Sequence, residues 1–259
     1  MMRFSISDLA FGGFKATRLE SLPPEIGVEI FYEFGSDLYW DKRLETVLAG
    51  RRISIHAPCV GINLADPTDE NYLEVFRNTL EYAKKCEAEF VVVHSNEEWK
   101  GEREEVMALV ESRISEILTL AKIFNVPILL ENVGLKTNGT LLYDWHDYVA
   151  LIDKFPEANA LIDIGHAHVN DWNIVEVLVV LQKRIKAMHL HDNNGRQDQH
   201  LLIGKGEIDW EVYFKKAERI IPQAVQVLEY VEIKPEKVVK HLNKVVDKYL
   251  REKINKQKS

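Results

Sequence analysis

Six short apolar segments of this chain each end in a side chain that can bind a metal ion or move a proton. These side chains are His56, His94, Glu131, Asp163, His189 and Glu229. A single such residue is readily explained as a helix cap or a hydrogen-bonded core residue, but six in the same relative position are not. Converging carboxylates repel each other and need a cation, and carboxylates together with imidazoles suit Zn, Mn, Co or Fe. The pattern therefore predicts a divalent metal site.

Three further residues of ligand type lie close to these segments in the sequence. His166 follows Asp163 by three residues, and Asp198 and His200 form a D-x-H pair after the seventh segment. His191 follows His189 by two residues, and that spacing keeps both side chains on the same face of a strand. We expect all of them near the metal site.

The elements that must position these residues are eight apolar runs. The runs are Arg3–Leu9, Gly27–Phe31, Arg52–His56, Phe90–His94, Pro127–Glu131, Ala160–His166, Lys186–Asp192 and Val225–Glu229. They are continuously apolar rather than alternating, which is typical of strands that are covered on both faces. The runs therefore predict a parallel sheet.

Helical spacing of apolar residues separates these runs. The predicted helices are Glu70–Glu87, Glu102–Phe124, Tyr143–Phe155, Ile174–Lys183, Trp210–Ile220 and Pro235–Leu250. Asp209 is a suitable N-cap for the Trp210 helix, and Pro235 suits a first helical turn. The chain has neither the glycine-rich turn of a dinucleotide-binding fold nor phosphate-loop spacing. We therefore predict a single (β/α)8 TIM barrel spanning residues 1–259, with the six ligands at its C-terminal mouth.

Composition narrows the function classes. The 259 residues include 33 Lys and Arg against 41 Asp and Glu, which gives a formal net charge of −8. An acidic chain is a poor general nucleic-acid binder. The chain contains no run of 18 apolar residues, so no membrane span is predicted. With only two cysteines, Cys59 and Cys86, a reducing cytoplasmic setting is expected.

Several motifs, taken as an ordered set, resemble the xylose-isomerase-like TIM-barrel superfamily. They are IHAP, VVVHS, LLEN, IDIGHAH, HLHDNNGRQDQH and LIGKGEIDW. The resemblance runs from about residue 25 to about residue 232. That superfamily includes sugar and sugar phosphate isomerases and epimerases, inosose dehydratases, and endonuclease IV.

In the isomerase and epimerase branch, the resemblance implies one divalent ion, such as Mn, Co, Zn or Mg. Its ligands are implied to be Glu131, Asp163, His189 and Glu229. Glu131 and Glu229 would also serve as the two acid–base residues, working on the carbon next to the carbonyl of a sugar. A dehydratase would use the same residues to expel a hydroxyl group.

The same resemblance implies which residues bind a small-molecule sugar or sugar phosphate. His166 matches a substrate-binding histidine of the family. His56 and His94 are expected to contact substrate hydroxyls or a second ion, and Arg196 is a further candidate for binding a substrate oxygen or phosphate. The oligomeric state stays open, although many relatives are dimers or tetramers.

The alternative is an endonuclease IV-like phosphoesterase with three zinc ions, for which nine positions match. They are His56, His94, Glu131, Asp163, His166, His189, Asp198, His200 and Glu229. Three features favour the isomerase branch: Cys59 stands where the endonuclease has Tyr, the chain has HLHD in place of HLND, and the loop SNEEWKGEREE is acidic. An acidic loop repels a phosphate backbone, so nucleic acid is not the expected partner. Both branches are expected to have G-E-G at the position where this chain has Gly204-Lys205-Gly206, so Lys205 departs from both.

Overall fold

The computed structural model describes residues 2–11, 22–33, 36–231 and 233–251. Eight parallel strands pair in chain order, and the last pairs with the first, so the sheet is a closed barrel. The strands are β1 Arg3–Ser7, β2 Gly27–Phe31, β3 Ile53–His56, β4 Val91–His94, β5 Ile128–Glu131, β6 Asn159–Asp163, β7 Ile185–Leu190 and β8 Val225–Leu228. The predicted TIM barrel is confirmed. The proposed domain span of 1–259 also takes in residues 1, 12–21, 34–35, 232 and 252–259, which lie outside the described residues.

Helices surround this barrel. They are α1 Ser36–Asp41, α2 Tyr72–Lys85, α3 Arg103–Phe124, α4 Trp145–Lys154, α5 Ile164–Val169, α6 Ile174–Val180, α7 Trp210–Ile220 and α8 Pro235–Val245. The N-cap predicted at Asp209 is present, since its carboxylate accepts the amide of Val212 at 3.0 Å. Helices α1 and α5 were not predicted, because each has only six residues and too few turns to show a period.

The inside of the barrel explains where the candidate ligands lie. It is filled by a small apolar cluster of Phe90, Val92, Leu129, Leu161, Ala187, Val225 and Val227. On each of β4 to β8, a member of this cluster lies two residues before a candidate ligand. Side chains two residues apart on a strand point to the same face. The ligands are therefore the uppermost layer of the barrel interior, directly above an apolar plug.

The first strands carry polar groups inside the barrel. Glu29 lies in the middle of β2, is fully buried, and accepts a hydrogen bond from the Ser54 hydroxyl at 3.0 Å. Asp8, just after β1, accepts the amide of Phe31 at 2.9 Å and the indole N–H of Trp40 at 2.8 Å. Burial raises the pKa of Asp8 to about 7, although both hydrogen bonds act in the opposite direction. Asp8 thereby ties α1 to the barrel.

Two predicted boundaries were wrong for physical reasons. The run Ala160–His166 does not stay extended, because the Asp163 carboxylate accepts the amide of His166 at 2.6 Å and so caps α5. His166 thus stands on a short helix rather than on β6. The last predicted helix, Pro235–Leu250, becomes a π-helical turn over Val246–Arg251.

Among the residues described, none of the helices combines the length and the apolar character that a membrane crossing requires.

The packing of α4 yields a stability prediction. The buried hydroxyl of Tyr148 lies 2.8 Å from the Leu130 carbonyl and 3.1 Å from the Leu161 carbonyl, so it links α4 to β5 and β6. We expect Tyr148→Phe to lower the free energy of unfolding in urea by about 1–2 kcal/mol, because a buried hydrogen bond is lost. Tyr72→Phe is the control, since its hydroxyl bonds only to the exposed Glu116 and should change stability by less than about 0.5 kcal/mol. Equal effects of the two changes would contradict this account.

Candidate metal centre

His189 organises the first cluster of ligands, named here the central site (Glu131, Asp163, His189 and Glu229). Its Nε2 lies 2.8 Å from Oε1 of Glu29 and donates to it, so its Nδ1 is the nitrogen left to bind a metal ion. That Nδ1 lies 3.3 Å from Glu131 Oε1, 3.4 Å from Glu229 Oε2 and 3.9 Å from Asp163 Oδ2. Three buried carboxylates therefore face this nitrogen, and only positive charge, either a proton on Nδ1 or a metal ion, can stabilise them together.

A second cluster, the β3–β4 site (His56, His94 and Glu131), repeats this arrangement. Nδ1 of His56 donates to the Ala57 carbonyl at 2.8 Å, and Nδ1 of His94 lies 2.5 Å from the Glu97 carboxylate. Both Nε2 atoms therefore point inward, 3.1 Å from each other. Oε2 of Glu131 lies 3.1 Å from Nε2 of His94 and 3.5 Å from that of His56. Glu131 thus divides its two oxygens between two sites.

A third cluster, the Asp198 site (His166, Asp198 and His200), lies across the mouth. Nδ1 of His166 faces the Asn132 carbonyl at 3.1 Å, and Nδ1 of His200 faces the Glu229 carbonyl at 2.8 Å. Each Nε2 is left to face the same oxygen, Oδ2 of Asp198, at 3.2 and 3.0 Å. The nine ligand-type residues that the sequence singled out are therefore grouped into three adjacent sets.

The spacing of the donor atoms suits metal ions. Nitrogen and oxygen ligands about 2.0–2.1 Å from a tetrahedral ion lie roughly 3.3–3.4 Å apart. The donor pairs whose distances are given above lie 3.0 to 3.5 Å apart, except for Nδ1 of His189 and Oδ2 of Asp163 at 3.9 Å. The chemistry of the donors also fits, because imidazole and carboxylate are ligands for Zn, Mn and Co.

Electrostatics in the central site and the β3–β4 site favour ionised groups despite burial. Burial alone would raise the pKa of Glu131, but attraction to His189 and His94 outweighs it and holds that pKa well below its usual range. Burial alone would lower the pKa of His189, but Glu229, Glu131 and Glu29 raise it well above the usual value. In the metal-free protein, protons on the histidines therefore balance the negative charge.

The Asp198 site behaves in the same way. Burial opposes the charged form of His166, yet Asp163 and Asp198 raise its pKa to about 10. The pKa of His200 is raised to about 9, because Asp198 and Glu229 outweigh the effect of burial. The pKa of Asp198 is correspondingly lowered, chiefly by His166 acting against burial.

A cavity of about 430 Å³ opens above the three sites. Candidate site residues in its lining are His56, His94, Glu131, His166, Asp198, His200 and Glu229. Asp163 and His189 lie beneath them and are fully buried. Arg196 lies on an exposed turn after β7, outside this lining. A larger cavity of about 690 Å³ lies at the opposite end of the barrel, and its lining contains neither histidine nor cysteine.

Two buried residues support the ligands. Glu29 was missed by sequence reasoning, although a carboxylate inside an otherwise apolar strand was a usable signal. His191, whose position next to the ligands was expected, bridges Asp163 Oδ2 at 3.0 Å and Asp198 Oδ1 at 3.4 Å through its Nε2. Its Nδ1 is buried and has no hydrogen-bond partner among the described residues. Gly165 packs so tightly on this ring that a Cβ there would lie 1.9 Å from it.

One buried carboxylate shapes the loop that carries Asp198 and His200. Oδ2 of Asp192 accepts the Gly204 amide at 2.8 Å and the Trp210 indole N–H at 2.9 Å, and its Oδ1 accepts the Ile208 amide at 3.2 Å. At Gly206, a Cβ would lie 2.2 Å from the Asn193 carbonyl oxygen. The loop that follows β7 is therefore folded back onto Asp192, which explains why the sequence has Gly204-Lys205-Gly206 and Trp210 at these distances after Asp192.

Solved structures share this architecture. A D-tagatose 3-epimerase-like protein superposes with a TM-score of 0.82 at 26% identity, covering 100% of both chains. A Thermus thermophilus protein from crystals soaked with zinc chloride superposes with a TM-score of 0.73 at 18% identity, covering 95% of this chain and 99% of its own.

Curated relatives extend the comparison to sequence. The uncharacterized protein MJ1311 of Methanocaldococcus jannaschii is 30% identical in an alignment of 215 positions that covers 78% of this chain and 73% of the relative. An Acholeplasma laidlawii protein named "Probable endonuclease 4" is 23% identical in an alignment of 205 positions that covers 71% of this chain and 69% of that protein. The family model for the xylose isomerase-like TIM barrel matches residues 27–249. With the closed barrel and the ligands at its mouth, this match shows that the chain belongs to the xylose isomerase-like TIM barrel family.

Proposed function

We propose that the protein is a divalent-metal-dependent sugar epimerase or isomerase, acting on a sugar or sugar phosphate with a hydroxyl next to its carbonyl. The observation that carries this proposal is the central site, where the His189 lone pair meets three carboxylates at 3.3 to 3.9 Å. The site lies at the floor of a cavity of about 430 Å³, which suits a small substrate. The 26% identity to the D-tagatose 3-epimerase-like protein over its whole length supports the same class.

A metal ion held by Glu131, Asp163, His189 and Glu229 would supply positive charge that polarises a substrate carbonyl and stabilises the charge left when a C–H bond breaks. Glu29 fixes the ring of His189 for this role through its 2.8 Å hydrogen bond. Such a partner on the far nitrogen sets both the orientation and the basicity of a ligating histidine.

Glu131 and Glu229 are the proposed acid–base pair. Glu131 ends β5 and Glu229 follows β8, so they reach the centre from separated parts of the barrel wall. One carboxylate removes the proton from carbon, and the other returns a proton to the opposite face. That sequence inverts the carbon, which is epimerisation; return to the neighbouring carbon gives isomerisation. The lowered pKa of Glu131 keeps its carboxylate in the ionised form that both a base and a metal ligand require.

The remaining residues of the mouth have proposed roles in binding. His166 lines the cavity, with its Nε2 beside Asp198, and would orient a substrate oxygen. His56 and His94 would contact substrate hydroxyls or hold a further ion. Arg196, on the exposed rim, would reach a substrate phosphate only if its side chain turns toward the mouth.

A second candidate function is hydrolysis of a phosphate ester by three zinc ions. The observation that favours it is the presence of two further convergent sets, the β3–β4 site and the Asp198 site, beside the central one. In this case Glu131 and Glu229 would act as ligands only, and the ions would supply a water of lowered pKa as the nucleophile for phosphorus. The acidic loop at 95–105 favours a small phosphate ester over DNA as its substrate.

The first test of the proposal changes Glu131. We expect Glu131→Gln to lower turnover on a panel of ketoses by about 10²–10⁴-fold, because a positioned acid–base group contributes that much. Metal content is measured in parallel, since Glu131 is also a proposed ligand. Glu116→Gln, on the exposed face of α3, is the matched control and should leave activity unchanged. Activity above about a tenth of wild type in Glu131→Gln would refute the assigned role.

Elemental analysis separates the two candidate functions. For protein purified without chelator or added metal, we expect fewer than three tightly held ions per chain, together with epimerisation or isomerisation of at least one ketose. Three zinc ions per chain, combined with nicking of abasic DNA or hydrolysis of small phosphate esters, would favour the hydrolase instead.

The raised histidine pKa values predict a pH dependence of stability in the metal-free protein. Groups whose pKa is raised on folding stabilise the fold fully below their unfolded pKa, about 6.5 for histidine, and lose that contribution as the pH rises through the folded value. With folded values of about 10 for His166 and about 9 for His200, the free energy of unfolding should fall between pH 7 and pH 10. Urea unfolding in EDTA measures this fall. His166→Asn should flatten the curve, and a curve of unchanged slope in that variant would contradict the assignment.

A further inference from the structure

Cys59 lies at the edge of the β3–β4 site. It follows His56 by three residues, is 8% exposed, and lines the mouth cavity. Its sulfur and one ring nitrogen from each of His56 and His94 all lie within 4.8 Å of one another. The mechanism proposed above uses neither the thiol nor its position.

The loop that carries Cys59 is built around one carboxylate. Glu33, just after β2, accepts the Cys59 amide at 3.3 Å, the Val60 amide at 3.2 Å and the Gly61 amide at 2.6 Å. These hydrogen bonds fix the backbone at Cys59, so the thiol is held beside the two histidines by the fold itself. It forms no disulfide with Cys86, which is also a free cysteine.

The two histidines beside the thiol present lone pairs. Their Nδ1 atoms are occupied by the Ala57 carbonyl and the Glu97 carboxylate, so two Nε2 lone pairs face each other at 3.1 Å. Two opposed lone pairs are stable only with a proton or a metal ion between them. The Cys59 sulfur lies within 4.8 Å of a ring nitrogen of each histidine and adds a thiol, whose thiolate is a usual ligand of Zn²⁺.

We propose that His56, His94 and Cys59 form a metal site distinct from the central site, and that its thiolate makes it selective for Zn²⁺ over Mn²⁺ or Mg²⁺. Thiolate and imidazole donors suit Zn²⁺ and Co²⁺, whereas Mg²⁺ and Mn²⁺ prefer oxygen donors. When the metal–sulfur bond forms, the thiol proton is released to solvent. The chain would then hold two kinds of ion side by side: a thiophilic one at this site, and one bound mainly by carboxylates at the central site.

Cobalt spectroscopy tests the thiolate directly, without reference to activity. Co²⁺ bound to a thiolate absorbs strongly in the near ultraviolet through sulfur-to-metal charge transfer, whereas nitrogen and oxygen ligands alone do not give this band. We expect the band in the full-length, metal-depleted wild type after addition of Co²⁺. It should persist in Cys86→Ser and disappear in Cys59→Ser. Cys86 is the matched control, because it is equally buried and belongs to none of the candidate metal clusters.

Zinc binding provides the second readout. We expect Cys59→Ser to bind Zn²⁺ at this site at least about tenfold more weakly than wild type, as followed by competition with a chromogenic chelator. Absence of the cobalt band in wild type, or an equal band in Cys59→Ser, would overturn the proposal.

A third measurement keeps the test decisive if Cys59→Ser does not fold. In native wild-type protein, Zn²⁺ should slow alkylation of one thiol by iodoacetamide at least about tenfold, with the protected residue identified as Cys59 by mass spectrometry. An equal concentration of Mn²⁺ should not protect it. Equal alkylation with and without Zn²⁺ would overturn the proposal. Since none of these readouts involves a sugar, their failure would leave the proposed epimerase function standing.

Discussion

The hydrogen bond between His189 and Glu29 decides which ring nitrogen faces the three carboxylates of the central site. Without that bond, the imidazole could turn its N–H toward Glu131 and Glu229 and satisfy them as an ordinary donor. With it, Nε2 is already engaged and only Nδ1 faces the negative charge, so the site needs either a proton or a metal ion at that nitrogen. Glu29 can have this effect only because β2 is part of a closed barrel, which places its interior side chains opposite those of β7.

The same device is used at every histidine ligand of the mouth. A backbone carbonyl or a carboxylate accepts from one nitrogen, and the other nitrogen is directed inward; the acceptors are Ala57 and Glu97 on one side, and Asn132 and Glu229 on the other. These acceptors lie on strand ends and the loops that follow them, so the barrel wall itself selects the tautomers. Three of these four acceptors are backbone oxygens, so the fold itself sets the orientation of the histidine rings.

The sequence predicted the strands, and it predicted most of the side chains that converge at the barrel mouth, because a buried apolar run that ends in His, Asp or Glu is conspicuous. It failed at one local N-cap, and it failed where the decisive interaction joins residues far apart in the chain. His166 was expected on a strand, but an N-cap by Asp163 turns the chain into a helix there. Glu29 lies 160 residues before His189, and the role of its carboxylate emerges only when the barrel closes. Cys59 stood out only as a departure from a motif, since its proximity to His94 depends on a loop folded around Glu33.

The two-residue alternation inside the barrel has a consequence for how such a protein can change over generations. Each ligand of β4 to β8 stands two residues above an apolar side chain that fills the barrel, so inserting or deleting one residue between them would turn the ligand outward. The loops that begin after the ligands carry no such restriction. A change in length can therefore be accommodated in the segments that shape the mouth cavity, where it alters the size of that cavity and leaves the candidate ligands in place. Within the strands, the number of residues between the apolar layer and the candidate ligands is fixed by this alternation.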